Sequence, residues 1–181
     1  MSPILGIMAS SISGSKISTN SYESIATVTG SGASVTFSSI PSTYKHLQIR
    51  MTASFTGSVG SGFIAFNGDN ASSNYSYHYL GGDGSTVGAG ALTSQNQGKF
   101  TGFAGTTTTV PNIMVMDIFD YANTNKYKTT RALYGNDANG GGYVEFNSNL
   151  WRSTAAITSI VLTPANTFNT NTYVSLYGIK G

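Results

Sequence analysis

Three short loops combine one aspartate with glycine, as the loops of calcium-binding proteins do. They are Gly68–Asn70, Gly82–Gly84 and Asn136–Gly142. A dedicated calcium site gathers roughly six to eight oxygen ligands, and each of these loops offers only one carboxylate. Glycine, aspartate and asparagine in such clusters are typical of tight turns. We therefore predict structural turns at all three loops and no metal site.

The residues that could act as a catalytic base or acid are few. The chain has no cysteine, its only histidines are His46 and His78, and neither belongs to a nucleophile-elbow or zinc-helix motif. Glu23 and Glu145 have no acidic neighbour in the sequence with which to form the carboxylate pair of a glycosidase. We predict that the chain is not an enzyme and needs no cofactor.

Aromatic side chains are a stronger indication of function. Tyr75, Tyr77 and Tyr79 lie at alternate positions of one predicted strand, and Trp151 is the only tryptophan. Tyrosine and tryptophan combine an apolar ring with a polar tip, which suits a sheet core, a protein interface or a sugar platform. All three interpretations remain open, and we take these four residues as candidate interface aromatics.

The composition favours a building block over a reaction centre. Ser, Thr, Gly and Asn make up 85 of the 181 residues, and only 16 residues are charged, against about one quarter in an ordinary soluble domain. A net charge of +2 is too weak to predict a nucleic-acid partner. No apolar run approaches the roughly 20 residues of a membrane helix, so we also predict no membrane partner.

The first 20 residues differ from the rest of the chain. They begin with four apolar side chains in a short stretch, Ile4, Leu5, Ile7 and Met8, and the first lysine comes only at position 16. A signal peptide would place positive charge before a longer apolar core. We predict a retained N-terminal arm over residues 1–20 that contacts a partner through these four side chains, with a cleaved leader as the alternative, and one domain over residues 21–181.

Alternation of apolar and polar residues predicts the architecture. Lys45–Phe55 alternates strictly, with Leu47, Ile49, Met51, Ala53 and Phe55 on one face, which is the pattern of a half-buried strand. Nine further segments are enriched in β-branched and aromatic residues: Tyr22–Thr29, Ser34–Ser38, Phe63–Asn67, Tyr75–Leu80, Asn112–Asp120, Tyr127–Tyr134, Tyr143–Asn147, Ala156–Thr163 and Thr172–Ile179. Glycine and asparagine clusters separate them, and at most a short turn or helical piece fits Asn149–Ala155. The sequence predicts an all-β protein, an antiparallel β-sandwich of the jelly-roll type.

The segment Asn112–Asp120 is apolar on both faces. We therefore predict a central strand that is covered on both sides. Asp117 shares a face with Ile113 and Val115, and a carboxylate there needs a partner. A structural ion pair or a strand-end hydrogen bond is the main interpretation, with Lys126, Lys128 and Arg131 as the nearby donors, and an acid or ligand role is the alternative.

Several phrases of the sequence resemble a family of small virion structural proteins of tailed bacteriophages, including phages of aquatic bacteria. The resemblance spans both ends of the chain and is weakest from about residue 56 to residue 110, where only the phrase beginning at Asn74 matches. The matching phrases are Ser2–Ile7, Ser21–Arg50, Asp120–Gly135, Leu150–Leu162 and Ser175–Gly181.

The resemblance implies a structural protein located in a virus particle as a symmetric oligomer, it leaves the place in the particle open, and no catalytic residues come with it. The absence of a shaft repeat and the apolar arm favour a capsid decoration protein, expected as a homotrimer bound to the major capsid protein or another virion protein. The alternative is the head of a tail fibre that binds host glycans through Gly57–Gly62 and Gly81–Gly90. A secreted lectin-like or hydrolytic sandwich is a third class.

Overall fold

The computed structural model describes residues 21–56, 60–101 and 109–181. The predicted arm, with Ile4, Leu5, Ile7 and Met8, lies outside the described residues. Within the described residues the chain forms strands and turns and no helix. The strands are β1 Tyr22–Gly32, β2 Val35–Phe37, β3 His46–Ala53, β4 Phe55–Thr56, β5 Gly62–Phe66, β6 Tyr75–Gly82, β7 Val87–Gln95, β8 Gly98–Thr101, β9 Asn112–Phe119, β10 Lys128–Asp137, β11 Gly142–Trp151, β12 Ile160–Thr163 and β13 Thr167–Ile179.

These strands form two antiparallel sheets. The large sheet has the order β1-β13-β3-β9-β10-β11-β6-β7, with β4 paired to β13, and the small sheet has the order β2-β12-β5-β8. The large sheet continues past the small one at its β6 and β7 end, and β7 is exposed along nearly its whole length. The inner face of the large sheet packs against the small sheet, and no other described segment packs on its outer face.

The core fills the space between the sheets. Strands β3 and β9 bring the buried side chains of Ile49 and Met116 together at paired positions, and β5 and β12 bring those of Phe66 and Ile160 from the other side. Because successive side chains of a strand point to opposite faces, one apolar residue in two is enough to build this core. The predicted β-sandwich is confirmed, and the jelly-roll variant stays a prediction.

The strictly alternating segment Lys45–Phe55 is a strand with its five apolar residues buried, as predicted. It is interrupted at Ser54, where the structure ends β3 and begins β4. The Ser54 amide donates to the hydroxyl oxygen of Thr172 at 3.2 Å, and its side chain donates to Asn169 Oδ1 at 2.6 Å. These bonds to residues of β13 replace regular strand pairing at this point.

Two strands were missed by the sequence prediction, and one was placed too late. Val87–Gln95 and Gly98–Thr101 are strands although glycine, alanine and polar residues dominate them, because their backbones pair with β6 and β5. Strand β13 begins at Thr167, ahead of the predicted strand Thr172–Ile179. The short helix considered for Asn149–Ala155 is wrong, since β11 continues to Trp151.

Candidate interaction surface

Three of the four candidate interface aromatics lie inside the sandwich. Tyr75, Tyr77 and Trp151 are buried, and the rings of Tyr75 and Trp151 stack with their centroids 6.3 Å apart. The amide of Phe66 donates to the Tyr75 hydroxyl oxygen at 2.9 Å, and burial raises the pKa of that hydroxyl. The interface prediction is therefore corrected for these three residues: they stabilise the core of this chain, because their strand face points toward the small sheet.

Tyr79 is only partly buried, and it belongs to a charged cluster within the sandwich. The Lys99 ammonium lies 4.1 Å from the centre of the Tyr79 ring and donates to Glu145 Oε2 at 3.0 Å. Asn147 donates to the other carboxylate oxygen of Glu145 at 3.4 Å. Lysine and glutamate are both nearly inaccessible here, so each charge depends on the other for its stability.

The three aspartate-glycine loops are turns, as predicted. Asp83 accepts hydrogen bonds from the amides of Ser85 and Thr86 at 2.9 and 2.6 Å, and Asp137 accepts one from Asn139 at 2.9 Å. Such bonds from an aspartate to the backbone two or three residues later stabilise tight turns. In the part of the chain that the structure describes, no three His, Cys, Asp or Glu side chains lie close enough together to hold a metal ion.

Asp69 closes its loop onto the core. It accepts hydrogen bonds from Trp151 Nε1 at 2.7 Å, from Asn74 at 3.1 Å and from the Ser72 hydroxyl. Burial raises the pKa of this carboxyl, but the three hydrogen bonds outweigh burial and lower the pKa below its ordinary value of 3.8. Asp69 therefore stabilises the fold in its charged form.

This lowered pKa predicts a dependence of stability on pH. The contribution of Asp69 is present above its ordinary pKa and is lost as the pH falls through the lower pKa of the folded state. We expect Asp69→Asn to destabilise the protein at neutral pH and to differ much less from wild type at about pH 3 or below. Urea unfolding at both pH values measures this, and an equal loss at both would contradict the assignment.

The two histidines do not face one another or a nucleophile. His46 Nδ1 accepts the amide hydrogen of Asp120 at 3.0 Å, and the imidazole meets the edge of Phe119. Lys126 donates to the Asp120 carboxylate, and this hydrogen bond is the main reason that the pKa of Asp120 is lowered. His46 thus stabilises the end of β9, and His78 lies exposed on the outer face of β6.

The outer face of the large sheet is the unusual surface of this molecule. Ile113 is 61% exposed and Leu133 is 57% exposed, although both occupy central strands. The outward-facing residues of these and neighbouring strands form what we call the apolar face. Its large exposed residues are Leu80, Val87, Ile113, Val115, Leu133, Val144, Phe146 and Tyr173. Within the described residues the prediction that Asn112–Asp120 is covered on both sides is not met, since the small sheet covers only the inner side.

The strand register arranges this apolar face in two rows that cross the sheet. The first row, which we call the ridge, has a large side chain on each of four adjacent strands: Val115, Leu133, Phe146 and Leu80, each paired with the next. The second row, which we call the trough, lies two residues along the strands and contains Ile113, Gly135, Val144, Gly82 and Val87. The ridge stands beside the trough because alternate residues of a strand share a face.

The two glycines make the second row discontinuous. Gly135 lies between Ile113 and Val144, where a side chain is absent and the surface is hollow. A Cβ atom at Gly135 would lie 3.3 Å from the Val144 side chain, so the hollow is already narrow at its base. A groove of about 630 Å³ follows the trough over these residues and reaches Arg50 and Tyr173 at its end.

A polar rim borders the ridge on its other side. Gln48 donates to Asp117 Oδ1 at 2.8 Å and accepts from Arg50 Nε at 2.8 Å. Arg131 is paired with Asp117 in the register, and the Arg131 guanidinium lies 5.9 Å from the centre of the Phe119 ring. An apolar centre with a polar, hydrogen-bonded rim is the usual anatomy of a protein interface.

The partners of Asp117 differ from those expected from sequence. Gln48, from a strand about 70 residues earlier, holds the carboxylate. Lys128 is instead buried, where its ammonium donates to the backbone oxygens of Asn123, Lys126 and Thr154. Burial lowers the pKa of Lys128. The sequence placed Asp117 on the correct face but could not identify a partner from a distant strand.

The apolar face was missed as a site, although one signal was available. Strands β9, β10 and β11 each have large apolar residues at both odd and even positions, that is, on both faces. A half-buried strand needs apolar residues on only one face. The additional apolar residues indicate a second apolar surface outside the core.

Comparisons with known proteins do not place this chain in a family. No family model matches it, and no curated protein matches it. Among solved structures it is similar to a protein of unknown function from Shewanella oneidensis MR-1, with a TM-score of 0.21 and 8% sequence identity. That match covers 89% of this chain and 77% of the other. A TM-score this low supports no conclusion about fold or function. No helix among the described residues has the length and apolar character needed to cross a membrane.

Proposed function

We propose that this protein is a non-enzymatic structural component of a bacteriophage particle, an oligomeric decoration protein on the exterior of the capsid. The observation that carries the proposal is the apolar face, which spans the five adjacent strands β9, β10, β11, β6 and β7 and also includes Tyr173 of β13. Monomeric soluble proteins rarely expose a contiguous apolar patch larger than a few hundred Å². Such a surface favours a protein that works by assembly.

The sequence supports the same proposal from another direction. The phrases at both ends of the chain resemble virion structural proteins, and the sparse charge permits close packing without burying unpaired ions. We propose a homotrimer bound to the major capsid protein or another virion protein. The arm, with Ile4, Leu5, Ile7 and Met8, is the proposed contact to that partner.

The arm gives the test of the capsid contact. We expect replacement of Ile4, Leu5, Ile7 and Met8 by serine to weaken binding to purified particles by at least about tenfold, because burying even one such side chain contributes roughly 1.5–3 kcal/mol. Replacing Ser10, Ser11, Ser13 and Ser15 by alanine alters the same arm without removing apolar groups and is the control. Cosedimentation with particles measures binding.

Equal binding of both variants and wild type would contradict the role of the arm. The location is tested separately by a cryo-electron microscopy map of the particle. Density for the sandwich on the outer capsid surface is the expected result. Its presence only on the tail would overturn the decoration role.

One observation favours the alternative, glycan binding by a tail-fibre head. The turns of the β6–β7 and β10–β11 hairpins enclose a second groove of about 270 Å³. It is lined by Asp83, Asn136, Asp137 and Tyr143. An aromatic ring can pack on the apolar face of a sugar, and carboxylates and amides can form hydrogen bonds with its hydroxyls. Saturable binding to a glycan array that Tyr143→Ala abolishes would favour this function over decoration.

A further inference from the structure

We infer that the apolar face is the interface between copies of this chain, and that the ridge of one copy packs into the trough of the next. The inference rests on the proposed function, since it names the surface that joins the subunits of the oligomer.

The exposed area is large enough for a stable interface. The eight residues of the apolar face each present on the order of 100 Å² of side chain, so the face offers about 800 Å². That is about what one partner contributes to a standard protein interface. It exceeds the largest patch of a typical monomer, which is about 300–600 Å².

The shape of the face complements itself. The ridge presents three consecutive large side chains, Leu133, Phe146 and Leu80, beside a trough in which Gly135 and Gly82 leave hollows. The ridge of a second copy can therefore fill the hollows of the first, and the hollows of the second copy can receive the ridge of the first. Packed sheets interdigitate in this way about 10 Å apart.

About a two-fold axis the ridge of each copy enters the trough of the other, so the contact is isologous and buries both rows of the face in one interface. The polar rim with Gln48, Asp117 and Arg131 then borders the contact and remains hydrated.

The sequence of β9 supports a copy of the same chain as the occupant. Asn112–Phe119 has apolar residues on both faces, as strands that are covered on both sides do. Its inner residues Met114, Met116 and Ile118 are buried by this chain, whereas its outer residues Ile113 and Val115 are not. A stable assembly of identical chains provides constant cover for the outer side.

The test is the mass of the full chain in solution, measured by sedimentation equilibrium at about 20 µM. We expect wild type to sediment as two or more associated copies. Leu133→Asp places a charge in the ridge and is expected to weaken association by roughly 30-fold or more, as loss of a central interface side chain does. Thr129→Asp introduces the same charge on the same strand and face, beyond the ridge, and should leave the mass unchanged.

The controls separate misfolding from loss of the interface. Leu133 is more than half exposed, so the variant monomer should keep the circular dichroism spectrum of wild type. Val144→Asp, in the trough, is a second variant expected to give a folded monomer. Oligomers that survive both substitutions would overturn the inference while leaving the decoration role intact, because that role is tested on particles.

Two further outcomes would also overturn the inference. If wild type is a monomer and removal of residues 1–20 makes it associate, the chain's own arm covers the apolar face. If wild type is a monomer with or without the arm, copies of this chain do not bind one another through this surface. A wild-type oligomer that Leu133→Asp and Val144→Asp both dissociate supports it.

Discussion

Replacing Trp151 by alanine is expected to lower the free energy of unfolding by about 3–5 kcal/mol, the range for removing a large buried aromatic side chain. Trp151 is 3% exposed, and its ring packs against Phe66 at 5.5 Å and against Tyr75 at 6.3 Å. Its indole nitrogen also holds Asp69 at 2.7 Å. Alanine removes the ring contacts and one hydrogen bond of the carboxylate together.

Trp151→Phe separates these two losses. It retains an aromatic ring in the core and removes the indole nitrogen, so we expect a loss of about 1–3 kcal/mol, because the charged and partly exposed Asp69 loses one of its three hydrogen bonds. Urea unfolding at neutral pH, with the dependence on denaturant compared among the variants, measures both. A loss below about 1 kcal/mol for Trp151→Ala would show that the aromatic cluster is not central to the core.

The second large effect is expected at the buried pair of Lys99 and Glu145. The two side chains are 8% and 1% exposed, and removing one partner leaves an uncompensated buried charge. We expect Lys99→Met alone, or Glu145→Leu alone, to destabilise the protein by about 3–5 kcal/mol. The double variant should lose less than the sum of the single variants, because it leaves no charge unpaired.

A surface pair provides the control for this cycle. Lys180 and Glu23 are 2.8 Å apart, slightly closer than Lys99 and Glu145, but both are 45% exposed. Water and salt screen such a pair, so Lys180→Met should change the free energy of unfolding far less than Lys99→Met. Additive losses in the buried cycle would mean that Tyr79, Asn147 and water stabilise each charge without the other.

The sequence predicted the parts of the fold that depend on local pattern. The alternation in Lys45–Phe55 identified β3 and its buried face, and the Asp-Gly loops were identified as turns because an aspartate bonds to the backbone next to it. These predictions required only neighbours within a few positions along the chain. Strand ends were less accurate, since pairing across the sheet extends β10, β11 and β13 through residues with weak strand preference.

Predictions that required distant neighbours were the ones that failed. Val87–Gln95 is a strand because β6 supplies hydrogen-bond partners along it, and nothing in its own residues indicates this. Tyrosine and tryptophan are common at protein interfaces, yet the register of β6 and β11 directs Tyr75 and Trp151 toward the small sheet. A side chain's type does not specify which face of a sheet is covered.

The sequence by itself determined an all-β chain with few charges, turns built on glycine, asparagine and aspartate, and more apolar strand residues than one core requires. Only the tertiary structure decided where that excess lies. Pairing among β9, β10, β11 and β6 aligns Val115, Leu133, Phe146 and Leu80 into the ridge, and Gly135 and Gly82 into the hollows beside it. The physical reason is register: an alternating pattern assigns residues to two faces, whereas cross-strand hydrogen bonds determine which residues become neighbours on each face.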